Sequence, residues 1–339
     1  MTDRIDRDDT TAPPPYAGLT PDTVLDALDA AGFRSDGRLQ ALNSYENRVY
    51  QVYQDDAPPV VAKFYRPERW SDAQILEEHA FVAELADEEI PVVPALARDG
   101  QTLLQHAGFR FAVYPRRPGR APELDGRDGG ELRDWLGRFI ARIHVVGARH
   151  AFAQRPSVSV QTFGTESRDY LAQHAQIPDD LLPAWRSTAD DALAMVQQAY
   201  ADAGAVRSLR LHGDCHLGNV LWVEGEGPHF VDFDDARNGP AMQDLWMLLA
   251  GERAAMTQQL GELLDGYAMF CDPDPHELRL IEPLRTLRIL HYSAWLARRW
   301  ADPAFPAAFP WFGTPKYWQD QILMLREQLS AMQEPPLVV

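Results

Sequence analysis

Leu211-His212-Gly213-Asp214-Cys215-His216-Leu217-Gly218-Asn219-Val220-Leu221-Trp222-Val223, then Glu224-Gly225-Glu226-Gly227-Pro228, then His229-Phe230-Val231-Asp232-Phe233-Asp234-Asp235, form the most informative stretch of a 339-residue chain. Two apolar runs flank a Gly- and Pro-rich middle, the pattern of a β-hairpin. Asn219 and Asp232 lie at nearly equal distances on either side of the turn. The hairpin should therefore bring them together near its open end, roughly as cross-strand neighbours. An amide and a carboxylate at one point make an oxygen-ligand pair of the sparse kind that suits Mg²⁺, with phosphate oxygens and water filling the remaining positions. Asp214 lies five residues before Asn219, in a loop entered from a short apolar strand.

Upstream, Asn47 to Tyr53 alternates, Gln54 to Pro59 is turn-rich, and Val60 to Tyr65 is a second strand, so this region predicts another hairpin. Lys63 lies in its second strand. Ser71 to Ala86 reads as a helix with Leu76, Ala80 and Ala83 on one face. Glu78 on that helix is a candidate partner for Lys63, with Glu77 as the competing choice. Thr20-Pro21-Asp22 opens a short first helix, and Thr102–Gln105 and Phe109–Tyr114 read as two further strands. Residues 1–15 carry four Asp and three consecutive prolines and predict a disordered tail.

Residues 116–130 are rich in Pro, Gly and charge and read as a connecting segment. Beyond them the pattern is mostly helical: Glu131 to Val146, then 178–201, 240–271, 276–300 and 315–332, interrupted by the β-like island of residues 208–235. The expected architecture is α+β and two-lobed. A small β-rich N-terminal lobe spans residues 16–115; a larger helical lobe spans 131–339 and carries the island.

Composition narrows the function. Lys and Arg number 32 against 50 Asp and Glu, a net charge of −18. Such a chain repels nucleic acid, and a polyanionic nucleotide would need a metal ion and a few well-placed cations. No apolar run reaches the length of a membrane span. Two cysteines, Cys215 and Cys271, stand in no CxxC and fit a reducing compartment. The expectation is a cytoplasmic protein, by default a monomer, with no nucleic-acid or membrane partner.

His212-Gly213-Asp214, Asn219 and the strand-end Asp232 resemble the catalytic stretch of the aminoglycoside phosphotransferase and choline kinase group of the protein-kinase-like fold. Val61-Ala62-Lys63 resembles the strand lysine that contacts α- and β-phosphates. The blocks Asn43–Tyr50, Lys63–Trp70, Asp234–Pro240 and Arg298–Pro306 extend the likeness to a bacterial protein-kinase branch of the group, over roughly residues 17–337. The resemblance implies an ATP- and Mg²⁺-dependent serine/threonine protein kinase linked to stress survival. It makes Asp214 the proton acceptor, Asn219 and Asp232 the Mg²⁺ ligands, with Asp232 also in the catalytic pair. Ser44, Lys63 and Glu78 belong to the ATP site. No GxGxxG precedes Lys63; Asn43 to Arg48 stands there instead, so the Ser44 hydroxyl and backbone N–H groups would cover the phosphates.

Two other functions fit the same residues: a kinase of an amino alcohol or aminoglycoside, and a nucleotide-binding regulator without turnover. The intact set Lys63, Asp214, Asn219 and Asp232 argues against the regulator. His212, Asp214, Cys215 and His216 could suggest a transition-metal site, but Gly213 and Gly218 oppose the helix that a His-x3-His pair needs. Cys215 reads as a small buried residue open to oxidation beside Asp214. Asp234 reads as turn or cap chemistry, with a second metal as the sharper alternative. Asp244 reads as a structural acid that holds the catalytic loop. Phe305, Phe309, Trp311, Phe312, Tyr317 and Trp318 read as a packed cap rather than a peptide groove, and the acidic surface would favour basic substrates.

Overall fold

The computed structural model describes residues 14–339. Most of the expected N-terminal tail thus lies outside the described residues; Pro14 opens a turn by accepting the Ala17 N–H at 2.9 Å. Thr20 caps α1 (Pro21–Ala30), its hydroxyl accepting the Thr23 N–H. Five antiparallel strands follow: β1 (Ser35–Ala41), β2 (Arg48–Gln54), β3 (Val60–Phe64), β4 (Leu104–His106) and β5 (Phe109–Pro115). Their order is β1-β2-β3-β5-β4, which puts β3 in the centre. Lys63 there sits opposite Val49 and Ala112. Strand β1 escapes a periodicity reading because its sequence, SDGRLQA, is nearly all polar; it is an edge strand with an irregular register.

Helix α2 (Asp72–Asp87) links the sheet to the rest of the molecule. Ser71 and Gln74 form a reciprocal capping box at its start. The expected apolar face is the wrong one. Leu76 is exposed, as are Ala80 and Ala83, whereas Ile75, Glu78, His79, Val82 and Leu85 are buried. The helix turns a mixed face inward because that face meets two environments. Ile75 packs with Tyr65, Trp70 and Ala112 beneath the sheet, while Phe81, Val82 and Leu85 join the large helical core. Between them, the His79 ring bonds Tyr65 at 2.7 Å and Thr102 at 2.8 Å, and Tyr65 bonds Tyr114 at 2.9 Å.

The connecting segment is docked rather than free. Arg120 and Trp222 exchange two backbone hydrogen bonds, Leu124 is buried, and Gly129 already begins α3 (Gly129–Gly147). A π-helical turn (Val160–Thr165) and α4 (Glu166–His174), neither marked by an apolar stripe, precede α5 (Leu182–Ala203). Within the island, β6 (Leu209–Leu211) pairs with the later β9 (Arg237–Gly239), while β7 (Val220–Val223) and β8 (Gly227–Phe230) form the expected hairpin. The predicted helix 240–271 is two: α6 (Met242–Trp246) and α7 (Arg253–Tyr267), separated by a break containing Gly251 at φ +87°. Next come α8 (Ile281–Arg299), the short α9 (Ala304–Ala308) and α10 (Pro315–Ala331). The aromatic cluster is a packed cap: Phe305 and Trp318 are fully buried, and Trp295, Phe309 and Phe312 interlock with it.

Burial pushes the His79 imidazole down to about 4, and the nearby Lys63 and Arg155 cations add to the shift. The folded protein therefore holds His79 neutral where an unfolded chain protonates it. This contribution is intact above the unfolded pKa near 6.5 and is lost as pH falls toward 4. We predict that between about pH 7.5 and about pH 5 the wild type loses about 2 kcal/mol more unfolding free energy than His79→Gln, measured by urea titration. Equal losses in the two proteins would remove His79 from the acid response.

Candidate active site

The loop after β6 is shaped by one buried carboxylate. Asp244 accepts the His212 N–H at 2.9 Å and the Gly213 N–H at 2.8 Å, and its third neighbour is the His144 ring at 3.1 Å. His144 in turn meets the Tyr267 hydroxyl at 2.9 Å. Asp244 is thus the structural acid its position suggested. Gly213 has φ +83°, and a Cβ there would lie 2.2 Å from the Asp235 carbonyl oxygen, so the loop admits only glycine. The His212 ring is committed to the Val231 carbonyl at 2.9 Å. It braces the loop against the hairpin, and its other ring nitrogen accepts the Asp214 N–H at 3.4 Å. Cys215 is buried, and burial pushes its thiol well above the usual range, which removes the thiolate that oxidation requires.

Asp214 emerges from this brace into a cavity of about 1070 Å³ between the sheet and the helices. Its Oδ1 lies 2.7 Å from Arg288 of α8, and its Oδ2 lies 3.6 Å from His216. Asn219 uses its amide N–H on the Asp214 carbonyl at 3.0 Å, which leaves its side-chain oxygen uncommitted among the described residues. Asn219 and Asp232 line the same cavity. Their register differs from the expected one: Val231 donates to the Asn219 carbonyl at 3.0 Å, so Asp232 falls one residue past the direct cross-strand position. The chain compensates by a left-handed kink at Asp232, φ 60° and ψ 61°, a conformation that costs a non-glycine residue about 1 kcal/mol.

Lys63 meets neither glutamate that the sequence offered. Its ammonium lies 2.9 Å from Asp232 and 3.1 Å from Asp234. Burial opposes the charge on Lys63, but Asp232, Asp234 and the field of Glu78 outweigh it and hold the pKa well above the ordinary value. Glu77 is spent on backbone: its carboxylate accepts the N–H groups of Ala153, Gln154 and Arg155. Glu78 lines the cavity near Lys63 without an ion pair to it. Its one cationic contact is Arg155 at 3.8 Å, its Oε2 lacks a hydrogen bond, and burial pushes its carboxyl up to about 7 against the pull of Lys63 and Arg155.

Asp234 serves more than turn or cap chemistry. It is buried and receives Lys63, the Arg69 guanidinium and the Asn47 amide at 3.1 Å. Although burial works against ionisation, Arg69 and Lys63 hold its carboxyl down to about 2. Arg69 also grips Asp235 at 2.8 Å, and Trp70 lies under the guanidinium groups of Arg69, Arg155 and Arg237. The Asn43–Arg48 segment, which stands in place of a glycine ribbon, is held from outside. The Ser44 hydroxyl, at the cavity wall, donates to the Asn47 carbonyl at 2.7 Å, and Glu46 crosses to Arg299 and Trp295 of α8. Arg69, Glu46 and Arg288 went unread in the sequence, and the ion pairs of Asp234 went unread with them. Each acts through a partner distant in the chain, and none sits at a diagnostic spacing.

A central-strand lysine, a loop aspartate and an Asn/Asp hairpin around one cleft define a phosphotransferase site. The chain belongs to the phosphotransferase enzyme family, whose model matches residues 38–281. Within that family it is similar along nearly its full length to stress response kinase A of Escherichia coli strain K12, at 48% identity over 322 residues, covering 95% of this chain and 96% of that one. The serine/threonine protein kinase RdoA of Salmonella typhimurium strain LT2 is 46% identical with the same coverage. Among solved structures, the amicoumacin kinase hAmiN in complex with AMP-PNP, Ca²⁺ and Ami matches with a TM-score of 0.70 at 19% identity, over 92% of this chain and 93% of that one. A microcompartment-associated aminopropanol kinase matches at 0.68 and 18% identity, over 91% and 98%. These two likenesses establish the fold, small sheet and large helical part alike, as protein-kinase-like.

Lys63→Met keeps the volume of the stem and removes the charge. Asp234 retains Arg69, and the half-exposed Asp232 retains water. We predict a folded protein whose turnover with nucleotide falls by about 10²-fold or more. A steady-state assay showing parental turnover would make Lys63 structural only.

Proposed function

We propose that the chain is an ATP- and Mg²⁺-dependent serine/threonine protein kinase of the bacterial cytoplasm, acting as a monomer in a stress response. The observation that carries the reading is the placement of Lys63, Asp214, Asn219 and Asp232 around one cavity. The full-length likeness to relatives named as stress response and serine/threonine kinases favours a protein acceptor. Among the described residues no helix is long and apolar enough to cross a membrane.

Val49, Val61 and Leu221 supply apolar lining suited to a nucleobase, and Ser44 and Lys63 lie where phosphates would enter. In this reading Lys63 trades part of its carboxylate pairing for phosphate oxygens. The donor set fits a hard divalent ion: the Asp232 carboxylate is half-exposed with one oxygen outside the Lys63 contact, and the Asn219 amide oxygen is uncommitted. Asn219 and Asp232 would hold Mg²⁺, which neutralises phosphate charge when bound. Asp214 orients the acceptor hydroxyl and takes its proton. The hydroxyl oxygen bonds to the γ-phosphorus as the bond from that phosphorus to the ADP oxygen breaks.

A small-molecule acceptor is the second reading, favoured by the fold neighbours named for amicoumacin and aminopropanol. Labelled ATP offered with a generic protein acceptor and a panel of small alcohols separates the two; label confined to a small alcohol would overturn the protein-kinase reading. We predict that Asp214→Asn, nearly isosteric but unable to accept a proton, folds, binds nucleotide, and transfers phosphate ~10²–10⁴-fold more slowly. Transfer at the parental rate would show that Asp214 is not the base.

A further inference from the structure

The cleft does not share the acidity of the molecule. The chain bears a net −18, yet eight Lys and Arg side chains against seven Asp and Glu line the cavity. Three of these cations, Arg288, Arg298 and Arg299, stand on α8. Arg288 lies 2.7 Å from the Asp214 Oδ1, and that oxygen is sealed from solvent. Arg298 lines the same wall, stacked 4.8 Å over Tyr170, with no carboxylate within ion-pair distance among the described residues. Glu166 is the carboxylate of this wall; it is exposed and accepts from Gln161 at 3.4 Å. His291, packed edge-on to Phe163 at 3.9 Å, is held well below its ordinary pKa by burial and adds no charge.

Arg288 therefore holds Oδ1 of the group that must receive the acceptor's proton, and Oδ2, 3.6 Å from His216, is the oxygen left for an incoming hydroxyl. Once Asp214 takes the proton, its negative charge is gone, while Arg288 cannot lose its own. A half-buried cation would then stand without a counter-ion. An acceptor that brings an anion beside its hydroxyl supplies that counter-ion and neutralises Arg288 during transfer. A cationic acceptor does the reverse, adding charge beside Arg288 and Arg298.

Resting on the reading of Asp214 as proton acceptor, we propose that Arg288 is a specificity-determining residue that selects acceptors with an anionic group next to the reacting hydroxyl, in a protein a Ser or Thr flanked by Asp or Glu. Arg298 extends the preference. Ten residues along a helix place it about 15 Å from Arg288, the span of four or five residues of extended peptide. This replaces the expectation, drawn from net charge, of basic substrates: the acidity of the chain lies elsewhere than on the wall that meets the acceptor.

The test compares a Ser peptide flanked by Glu with matched peptides flanked by Ala and by Arg, beside two small alcohols, glycerate and aminopropanol. The wild type should favour the Glu peptide over the Arg peptide by about tenfold or more in kcat/KM. Arg288→Gln should bring the Glu and Ala peptides to within about twofold of each other, through the acceptor KM and with the ATP KM unchanged. Arg288→Glu should invert the order. A wild-type preference for the Arg peptide overturns the proposal while leaving the protein-kinase reading intact. So does a Gln variant whose loss falls equally on all acceptors or on the ATP KM, since Arg288 would then serve the nucleotide. Label only in the small alcohols overturns the protein-kinase reading, and glycerate over aminopropanol then upholds the role of Arg288, the opposite order refuting it. Transfer to no acceptor removes the proposal together with the reading beneath it.

Discussion

Asp234 is one buried carboxylate on which the sheet and the helical part of the molecule both depend. Lys63 of β3, Arg69 ahead of α2 and the Asn47 amide of the nucleotide-side loop all converge on it. Its backbone carbonyl receives Arg155 as well. A carboxylate this deep would ordinarily be expelled or neutralised. Here two cations keep it ionised, and in doing so they fix where Lys63 can lie. Asp232, two residues earlier, is thereby presented to the cavity beside that lysine.

The same logic recurs around the site. Asp244 organises the loop from below by taking two backbone N–H groups and a histidine. Glu46 ties residues 43–48 to α8 through Arg299 and Trp295. The loop that stands in for a glycine ribbon is thus held by charge where a ribbon would be held by a mobile backbone. Asp234 and Glu46 are paired with cations from distant parts of the chain, and Asp244 with backbone N–H groups and a histidine. These pairings add specificity of arrangement more than net stability, because removing charge from water consumes most of what the attraction returns.

Much of the site was legible in the sequence because its parts are local. The spacing of Asp214, Asn219 and the turn before Asp232 is set by one loop and one hairpin, and Lys63 stands in a strand of ordinary alternation. The partners were not legible. Arg69 and Asp234 are 165 residues apart, and no spacing rule connects them. Helix α2 misled for a physical reason: its inward face must carry Glu78 and His79 to the cleft, so apolar residues such as Leu76 were left outside. Strand β1 is nearly all polar and left no alternation to read. Arg288 looked like one more cation on a helix until Asp214 was found beneath it.

The claim that the Asp234 charge cluster organises the site is tested most directly by a double-mutant cycle on Arg69 and Asp234, read as unfolding free energy in urea. Asp234→Asn leaves Lys63 and Arg69 under-compensated, and Arg69→Met leaves the carboxylate with Lys63 alone; breaking a buried pair in this way costs about 3–5 kcal/mol. The double variant removes charge from both sides and should lose about 2 kcal/mol less than the two single losses together. Losses that add to within about 0.5 kcal/mol would mean that the two groups do not act on each other, and the cluster would then be a coincidence of packing rather than the constraint that places Lys63 and Asp232.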